Sequence, residues 1–334
     1  LETATRLDPD CAPAYDRMGV LFKDLGRIRE AAQAIRNAIR LKPMEPTFHY
    51  TLGQHEKALG NLRDAEEGFR QATRLKNDYA DAQYELGLVS LELDKPDAAI
   101  EAFRKAIQYK PETPETHYHL GLTYARPRRY VEAVEAFRQC LRLKSDHFDA
   151  VYNLGVAYAA MSRHEDAVDA FKRSLALRAE HPDSLLKLGH AYAALGRHPD
   201  AITTLEQAVR VRPDEPEAYF ALGLSYSKMQ RPEDAARTFQ SAIRMRPNDA
   251  SLHASLGGIY LSLERWQDAV DAYEQAIWLN QDDVESQRNH GIALNKLGRG
   301  DEALESLRRA LARKPGDPDA IYIFGLACES LGKP

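Results

Sequence analysis

Cysteine, tryptophan and long apolar runs are all scarce in this chain of 334 residues. Its three cysteines (Cys11, Cys140 and Cys328) are odd in number and far apart, so they indicate neither a disulfide framework nor a paired-cysteine zinc site. No apolar run approaches the roughly 18 residues that a membrane helix needs. A formal net charge of −5 argues against a general nucleic-acid binder. Membrane, disordered and disulfide-stapled classes are therefore excluded.

The sequence motifs of common enzyme classes are also missing. No glycine-rich phosphate loop, G-x-S-x-G turn or H-E-x-x-H zinc motif occurs. His117 and His119 are two residues apart, so on a helix their side chains diverge by about 200° and cannot share a metal ion. We therefore predict no catalytic residue, no cofactor and no metal site in this chain.

A strict period of 34 residues dominates what the chain does contain. Glycine recurs at this interval at positions 19, 53, 87, 121, 155, 189, 223, 257, 291 and 325. A parallel series of alanines runs at the same interval from Ala31 to Ala303. Self-similarity at a fixed interval of this length indicates a repeat architecture.

Each period predicts a pair of amphipathic helices. In residues 148–181, apolar side chains recur at i, i+3, i+4 and i+7 within 149–161 and again within 165–177. A short polar break separates the two segments, and proline follows the second one in several periods, where it stops the helix. Glycine and alanine stand where the two backbones approach most closely, so a larger side chain there would push them apart. A single hairpin cannot bury both of its faces, so each must stack on the next.

The period resembles the tetratricopeptide repeat (TPR), whose pattern combines Leu-Gly, Tyr, Ala, Phe and Pro over 34 residues. The residues that carry the resemblance in two of the periods are Leu120, Gly121, Tyr124, Ala133 and Phe137, and Tyr219, Leu222, Gly223, Tyr226, Ala235, Phe239 and Pro247. We expect one array over 1–334, with partial repeats at 1–11 and 318–334 and nine full repeats at 12–45, 46–79, 80–113, 114–147, 148–181, 182–215, 216–249, 250–283 and 284–317. The resemblance implies an all-α, right-handed superhelical solenoid of antiparallel helix pairs.

Five residues depart from the pattern. Glu56 and Ser90 replace the tyrosine, and Pro127 interrupts the hairpin turn of 114–147. His290 replaces the leucine and puts a polar ring at a core-facing position of 284–317. Trp278 stands where other repeats have Arg, Gln or Ala, which makes it a candidate for a secondary contact.

The resemblance further implies a concave groove lined by the first helix of each repeat. Its fifth, ninth and twelfth positions are spaced i, i+4 and i+7, so they form one stripe on a helix. Tyrosine holds the fifth position in four successive repeats, and Leu91 and Ala125 take the twelfth in two of them. We predict a groove for an extended peptide or a helix of a partner protein, lined by Tyr50, Tyr84, Tyr118, Tyr152, Phe220, Leu88, Leu122 and Val156.

A second interpretation of the tyrosines stays open, namely that they only pack adjacent first helices together. The series stops after Tyr152, whereas a purely structural role predicts tyrosine along the whole array, and this favours binding.

Two known binding modes of the family are disfavoured. The carboxylate clamp needs Lys and Asn at the fifth and ninth positions, where this chain has tyrosine or leucine. Only Asn153 and Asn289 occupy the sixth position, where the sugar-transferase branch carries an asparagine series. Acidic second positions such as Asp81 are explained first by the preference for negative charge at a helix start. If they also face the groove, they favour a partner with basic flanks.

We therefore predict a protein-interaction scaffold that has no enzymatic activity of its own. One alternative is a substrate-recruiting arm of a larger enzyme such as a glycosyltransferase, and another is a self-assembling structural array. The chain begins inside a helix without Met and ends on an apolar first helix. These ends favour a fragment of a longer chain over end-to-end self-association through 318–331. We expect no nucleic-acid partner and no membrane span, and we favour the cytoplasm over the periplasm.

Overall fold

The structure, a computed structural model, describes residues 10–332 and contains nineteen helices and no strand within that range. The helices alternate between first and second members of hairpins, and only the last has no second member among the described residues. Their bounds are α1 Ala12–Asp24, α2 Ile28–Leu41, α3 Pro46–Ala58, α4 Leu62–Leu75, α5 Ala80–Glu92, α6 Pro96–Tyr109, α7 Pro114–Ala125, α8 Tyr130–Leu143, α9 Phe148–Ala160, α10 His164–Leu177, α11 Pro182–Ala194, α12 His198–Val211, α13 Pro216–Lys228, α14 Pro232–Met245, α15 Ala250–Ser262, α16 Trp266–Leu279, α17 Val284–Lys296, α18 Gly300–Arg313 and α19 Pro318–Ser330. The predicted all-α class of paired helices is confirmed. The prediction for 1–11 falls largely outside the described residues.

The glycine and alanine series lie where the two helices of a hairpin touch. A Cβ atom on Gly87 would stand 2.5 Å from the Phe103 ring, and one on Gly121 would stand 2.6 Å from the Phe137 ring. Both distances are far below a van der Waals contact, so the phenylalanine on the second helix occupies the space that glycine leaves free. Ala99 and Ala133 of the alanine series are fully buried. The predicted close approach of the paired helices is confirmed.

The turn inside each hairpin uses one left-handed residue at the same repeat position. Four of the nine repeats place glycine there, with φ between 71° and 79°. The other five place a residue with a Cβ in the same conformation, which costs roughly 1–2 kcal/mol each, and these are Asp94, Arg128, Ser162, Gln230 and Glu264. Pro127 precedes one of them, and α7 ends at Ala125, one residue shorter than most first helices. The predicted interruption by Pro127 is thus confined to the end of that helix.

The structure divides between Ala170 and Phe171, inside α10, into two compact units. In the first unit, hairpins such as α5–α6 and α7–α8 contact each other through α6 and α7. In the second unit, α16–α17 and α17–α18 contacts continue the same pattern. Each unit buries its core between successive helices rather than around one centre, as the stacking argument predicts.

Glu56 shows how the first unit accommodates a polar residue at the tyrosine position. Its side chain is 1% exposed, and Oε1 lies 2.5 Å from Nη2 of Arg36 on the preceding second helix. Asn61 donates from Nδ2 to the other carboxylate oxygen at 2.8 Å. The buried charge is therefore paired and hydrogen-bonded, as a buried carboxylate has to be.

Candidate partner-binding groove

An open pocket of about 580 Å³ lies between the first helices α5 and α7 of the first unit. The ninth, twelfth and thirteenth positions of two consecutive repeats line it, and the later repeat adds its sixth position. Leu88 and Leu122, two of the predicted groove residues, lie in this wall and are half-buried. The full lining is Leu88, Leu91, Glu92, His119, Leu122, Ala125 and Arg126. The ninth and twelfth positions of the predicted stripe thus share one open pocket, whereas the fifth-position tyrosines do not line it.

The tyrosines occupy the joints between hairpins. The ring centroid of Tyr84 lies 5.9 Å from that of Phe103 on its own second helix and 5.8 Å from that of His119 in the next repeat. Tyr118 likewise contacts its own second helix, through Phe137 at 6.1 Å, and its other contact is His147 at 4.8 Å, the last residue of its own repeat. All of these rings make intramolecular contacts, so the packing role accounts for part of each tyrosine's surface.

Tyr50 follows the same arrangement at the start of the series. Its ring lies 5.8 Å from Phe69 and 5.0 Å from Tyr79, and Gln54 donates to its hydroxyl at 2.8 Å. Burial, with Glu85 nearby, raises the pKa of Tyr50 to about 12. The phenol therefore stays protonated at any physiological pH and keeps a proton to donate.

The remaining predicted residues are half-buried but lie outside that pocket. Tyr152 stacks on Phe148 at 6.4 Å, and Val156 lies one turn further along the same helix. Phe220 belongs to the second unit, where it contacts Phe239 at 5.9 Å. Tyr84 lines a separate pocket of about 250 Å³ together with Asp81, Lys110 and Glu115. Of the eight predicted groove residues, Leu88 and Leu122 therefore share one pocket, and the other six lie elsewhere on the first helices.

His119 is a pocket residue that the sequence reasoning missed. Its ring stacks on Phe103 at 6.1 Å and lies edge-on to Tyr118 at 5.3 Å. Burial lowers the pKa of His119, and the Lys57 charge lowers it further, so the imidazole is neutral near pH 7. The sequence signal for it is the aromatic ring at the sixth position, a position that the family comparison relates only to asparagine.

Charged side chains flank the apolar wall. Nζ of Lys57 lies 3.0 Å from Oε2 of Glu85, and both side chains are partly buried at the neighbouring first helices. On the rim, Asp81 pairs with Lys110 at 3.2 Å. Asp183 in the second unit pairs with Arg212 at 2.7 Å. These two second-position carboxylates are thus partly neutralised by bases 29 residues later, which weakens the sequence argument for a partner with basic flanks.

Within residues 10–332, no set of three or more His, Cys, Asp or Glu side chains is arranged to hold a metal ion. His117 is buried with Nε2 2.9 Å from the Pro111 carbonyl oxygen.

Over residues 10–332, none of the helices combines the length and apolar character needed to cross a bilayer.

The last described helix leaves apolar side chains uncovered. Tyr322 of α19 is 66% exposed, and Ile321 beside it is also exposed. Phe324 is half-buried and lies under the Arg308 guanidinium, 5.8 Å from its ring centroid. These side chains belong to the segment 318–331, through which the sequence analysis considers end-to-end self-association.

Comparison with known proteins matches the repeat along most of the chain. A tetratricopeptide-repeat family profile matches residues 17–57, 50–115, 84–147, 118–184, 220–284, 259–318 and 288–334, and a second TPR-repeat profile matches 189–230. A search of curated protein sequences finds no match.

Solved structures share the fold at low sequence identity. The C-terminal part of a TPR repeat-containing protein from Cytophaga hutchinsonii has a TM-score of 0.63 and 16% identity, covering 72% of this chain and 98% of that one. PilF of Pseudomonas aeruginosa has a TM-score of 0.53 and 18% identity, covering 64% and 97%. YrrB, a TPR protein with an unusual peptide-binding site, has a TM-score of 0.52 and 18% identity, covering 57% and 97%. Given the profile matches over most of its length, the chain belongs to the tetratricopeptide-repeat family.

Proposed function

We propose that this protein is an interaction scaffold that captures an extended peptide or a helix of a partner protein along its first helices. The observation that supports the proposal is the open apolar pocket between α5 and α7, about 580 Å³ in volume. Its walls come from equivalent positions of consecutive repeats, and both repeats place leucine at the ninth position. TPR proteins are typically scaffolds rather than enzymes, and in this proposal the chain carries out no chemistry itself.

The pocket suits an apolar side chain of the ligand. Leu88, Leu91 and Leu122 supply the apolar wall, while Glu92 and Arg126 at its edge are polar. An apolar centre with a polar rim is the usual anatomy of a protein-binding surface. The tyrosines would contribute their exposed edges and protonated hydroxyls, which add contact area and hydrogen-bond donors at low entropic cost. YrrB, which has the same fold, supports the proposal because it shows that this fold can hold a peptide-binding site.

A pair of matched substitutions tests the groove. Leu122→Asp puts a charge in the pocket wall, whereas Val131→Asp puts the same charge on the second helix of the same repeat, where the side chain is already 66% exposed. Affinity capture from a lysate of the source should lose its specific protein partners with Leu122→Asp and keep them with Val131→Asp. Circular dichroism has to confirm that both variants are folded.

The tyrosine series needs its own variant. Tyr118→Phe keeps the ring contacts with Phe137 and His147 but removes the hydroxyl, while Tyr118→Ala removes both. Loss of partners with Tyr118→Ala but not with Tyr118→Phe supports an apolar contact by the ring. Loss with both variants supports a hydrogen bond by the hydroxyl. Retention of every partner by Leu122→Asp and by both Tyr118 variants would refute the groove proposal.

As a second candidate we propose self-association through the surface of α19. The exposed Ile321 and Tyr322 favour it because neighbouring exposed apolar side chains often mark a contact. Sedimentation velocity over a concentration series should show oligomers that disappear with Tyr322→Asp. Tyr109→Asp, which changes an exposed tyrosine on α6, is the matched control. A monomer at every concentration would exclude this candidate.

A further inference from the structure

A cleft of about 700 Å³ opens in the second unit where α16 and α18, two successive second helices, flank the first helix α17. Equivalent clefts recur along the array but are smaller. The cleft 34 residues earlier, beside His253 and Tyr260, measures about 440 Å³. The cleft beside Gln83 and Ser90 in the first unit measures about 240 Å³. The large cleft is therefore an enlarged version of a feature that occurs at equivalent positions in at least two other places along the repeats.

Three departures from the repeat pattern meet in this cleft. His290 stands at the seventh position, where seven of the other eight full repeats have leucine. Ser306 stands on α18 at a position where the other repeats have Ala, Gly or Thr, and its Oγ lies 2.8 Å from Nδ1 of His290. Trp278 stands where other repeats have Arg, Gln or Ala. His290 and Ser306 are therefore hydrogen-bonded to each other inside the cleft.

Two buried polar atoms of the cleft-lining residues lack a hydrogen-bond partner. Gln287 is 4% exposed, and although its Nε2 donates to the Gln281 carbonyl at 2.6 Å, its Oε1 is unpartnered. Nε2 of His290 is unpartnered as well. Leaving a buried polar atom unpaired costs about 1–3 kcal/mol. In the preceding cleft, leucine (Leu256) stands at the position of His290, so that cleft has no counterpart of the unpartnered Nε2. The cleft of about 240 Å³ has one unpartnered buried atom, Ser90 Oγ, whereas the large cleft has two.

The proton of His290 is assigned to Nε2. Oε1 of Glu274 lies 3.7 Å from that nitrogen, too far for a hydrogen bond but close enough to favour an N–H there. Nδ1 then accepts from the Ser306 hydroxyl. Burial lowers the pKa of His290 to about 4, so the ring is neutral at physiological pH. The cleft residues thus present one unpaired acceptor, Gln287 Oε1, and one unpaired donor, His290 Nε2–H.

The mouth of the cleft combines an exposed aromatic ring with two cations. Trp278 is 71% exposed, the most exposed large aromatic side chain in residues 10–332. Arg309 and Arg313 lie one turn apart on α18 and also line the cleft. Their ion-pair partners, Glu305 and Asp282, are exposed and are not lining residues. Exposed pairs of this kind contribute little and exchange readily for another anion.

We propose that this cleft binds a short acidic segment of a protein partner, with a large apolar side chain against Trp278 and a carboxylate on Arg309 and Arg313. Trp and Arg are the residues that most often dominate binding energy at protein interfaces. Each residue of an extended peptide offers one N–H and one C=O. The N–H pairs with Gln287 Oε1 and the C=O with His290 Nε2–H, which removes both deficiencies at once.

The site is separate from the proposed groove. Its residues come from 250–317, and none of them is among the predicted groove residues. The failure of either proposal leaves the other standing, because Leu122→Asp and the variants below change different repeats.

Tryptophan fluorescence gives a direct binding assay. The chain has two tryptophans, so Trp266→Phe leaves Trp278 as the sole reporter. The probes are acetylated pentapeptide amides with two glutamates on each side of Phe, Leu or Ser. Companion peptides carry lysines in place of the glutamates. We expect saturable changes in Trp278 emission with the acidic Phe or Leu peptide, weaker binding of the Ser peptide, and loss of binding with increasing salt.

Three variants in this background test the assigned contacts, with the probe labelled so that binding is read by fluorescence anisotropy. Trp278→Ala removes an exposed side chain and cannot unfold the core, and His290→Leu restores the leucine of the repeat. Each should weaken binding at least about tenfold. Arg309→Ala combined with Arg313→Ala should weaken binding and reduce its salt dependence. Arg244→Ala, at the position of Trp278 one repeat earlier, should leave binding unchanged.

Several outcomes would overturn the proposal. No saturable binding by any acidic peptide rejects the ligand class, as does equal or tighter binding of the lysine peptides. Unchanged binding after His290→Leu rejects the cleft as the location. An effect of Arg244→Ala equal to that of the arginine pair shows only general electrostatic attraction.

Discussion

Replacing His290 by leucine should make the second unit more resistant to acid. His290 is buried with one ring nitrogen unpartnered, and burial together with the Arg299 charge lowers its pKa to about 4. The other ionisable groups around the ring are Glu274 on α16 and Glu302 and Arg309 on α18. Leucine titrates at no pH, so the variant removes one protonation equilibrium that opposes folding.

The sign and size of the effect follow from the linkage between proton binding by His290 and folding. The pKa of His290 in the folded state, about 4, lies below its ordinary value of 6.5, so the unfolded chain binds a proton more readily between those values. The stability contributed by the neutral ring is complete above pH 6.5 and is lost as the pH falls towards 4. The full shift corresponds to about 3 kcal/mol, and about 2 kcal/mol of it is already lost at pH 5.

Urea unfolding followed by tryptophan fluorescence is the appropriate assay, because Trp266 and Trp278 both lie on α16, which contacts α17. The free energy of unfolding should fall between pH 7.5 and pH 5 by about 2 kcal/mol less in His290→Leu than in the wild type. Ser306→Ala, which keeps the imidazole, should retain the wild-type pH dependence. An identical loss in His290→Leu and wild type would refute the reasoning.

Two further predictions concern the first unit and the end of the array. Gly121→Ala should lower the free energy of unfolding by about 1–3 kcal/mol, because its Cβ would lie 2.6 Å from Phe137. Gly325→Ala, at the same repeat position with nothing within 4 Å, should raise it by about 1 kcal/mol, and equal effects in chemical denaturation would contradict the packing argument. Arg36→Ala should cost about 1–2 kcal/mol by leaving the buried Glu56 carboxylate without its cation, discounted because Arg36 is half exposed. Arg36→Lys should recover part of that loss in the same assay.

The fold was predictable because each repeat position is sampled nine times in one chain. Gly53, Gly87 and Gly121 each face a phenylalanine on the second helix of their hairpin, so one steric requirement appears repeatedly in the sequence. The left-handed residue in each hairpin turn was harder to predict from the sequence. Asp94 and Arg128 adopt the same φ as Gly26 and Gly60, because helix packing on either side dictates the turn and overrides the local preference of the residue.

The candidate groove was predictable only in part. Helical spacing places Leu88 and Leu122 on one face, and the structure confirms that they share a pocket. Spacing does not reveal how much of a side chain its neighbours cover. The contacts of Tyr118 with Phe137 and His147 depend on rotamers and on the angle between hairpins, neither of which has a sequence signal. Binding and packing therefore stayed open as roles for the tyrosines.

The enlarged cleft contains a residue, His290, that departs from the repeat pattern at a position where leucine fits elsewhere. Leucine fits the seventh position in seven other full repeats, so the same backbone would accept it at position 290. Histidine there leaves Nε2 unpaired in the same cleft as the unpaired Gln287 Oε1, and each unpaired buried atom lowers stability. Residues that lower stability where a better-packed alternative exists tend to mark functional sites. If His290→Leu both stabilises the protein and abolishes binding of the acidic peptide, the histidine exchanges stability for recognition. If it stabilises the protein and leaves binding unchanged, the cleft is only a packing defect.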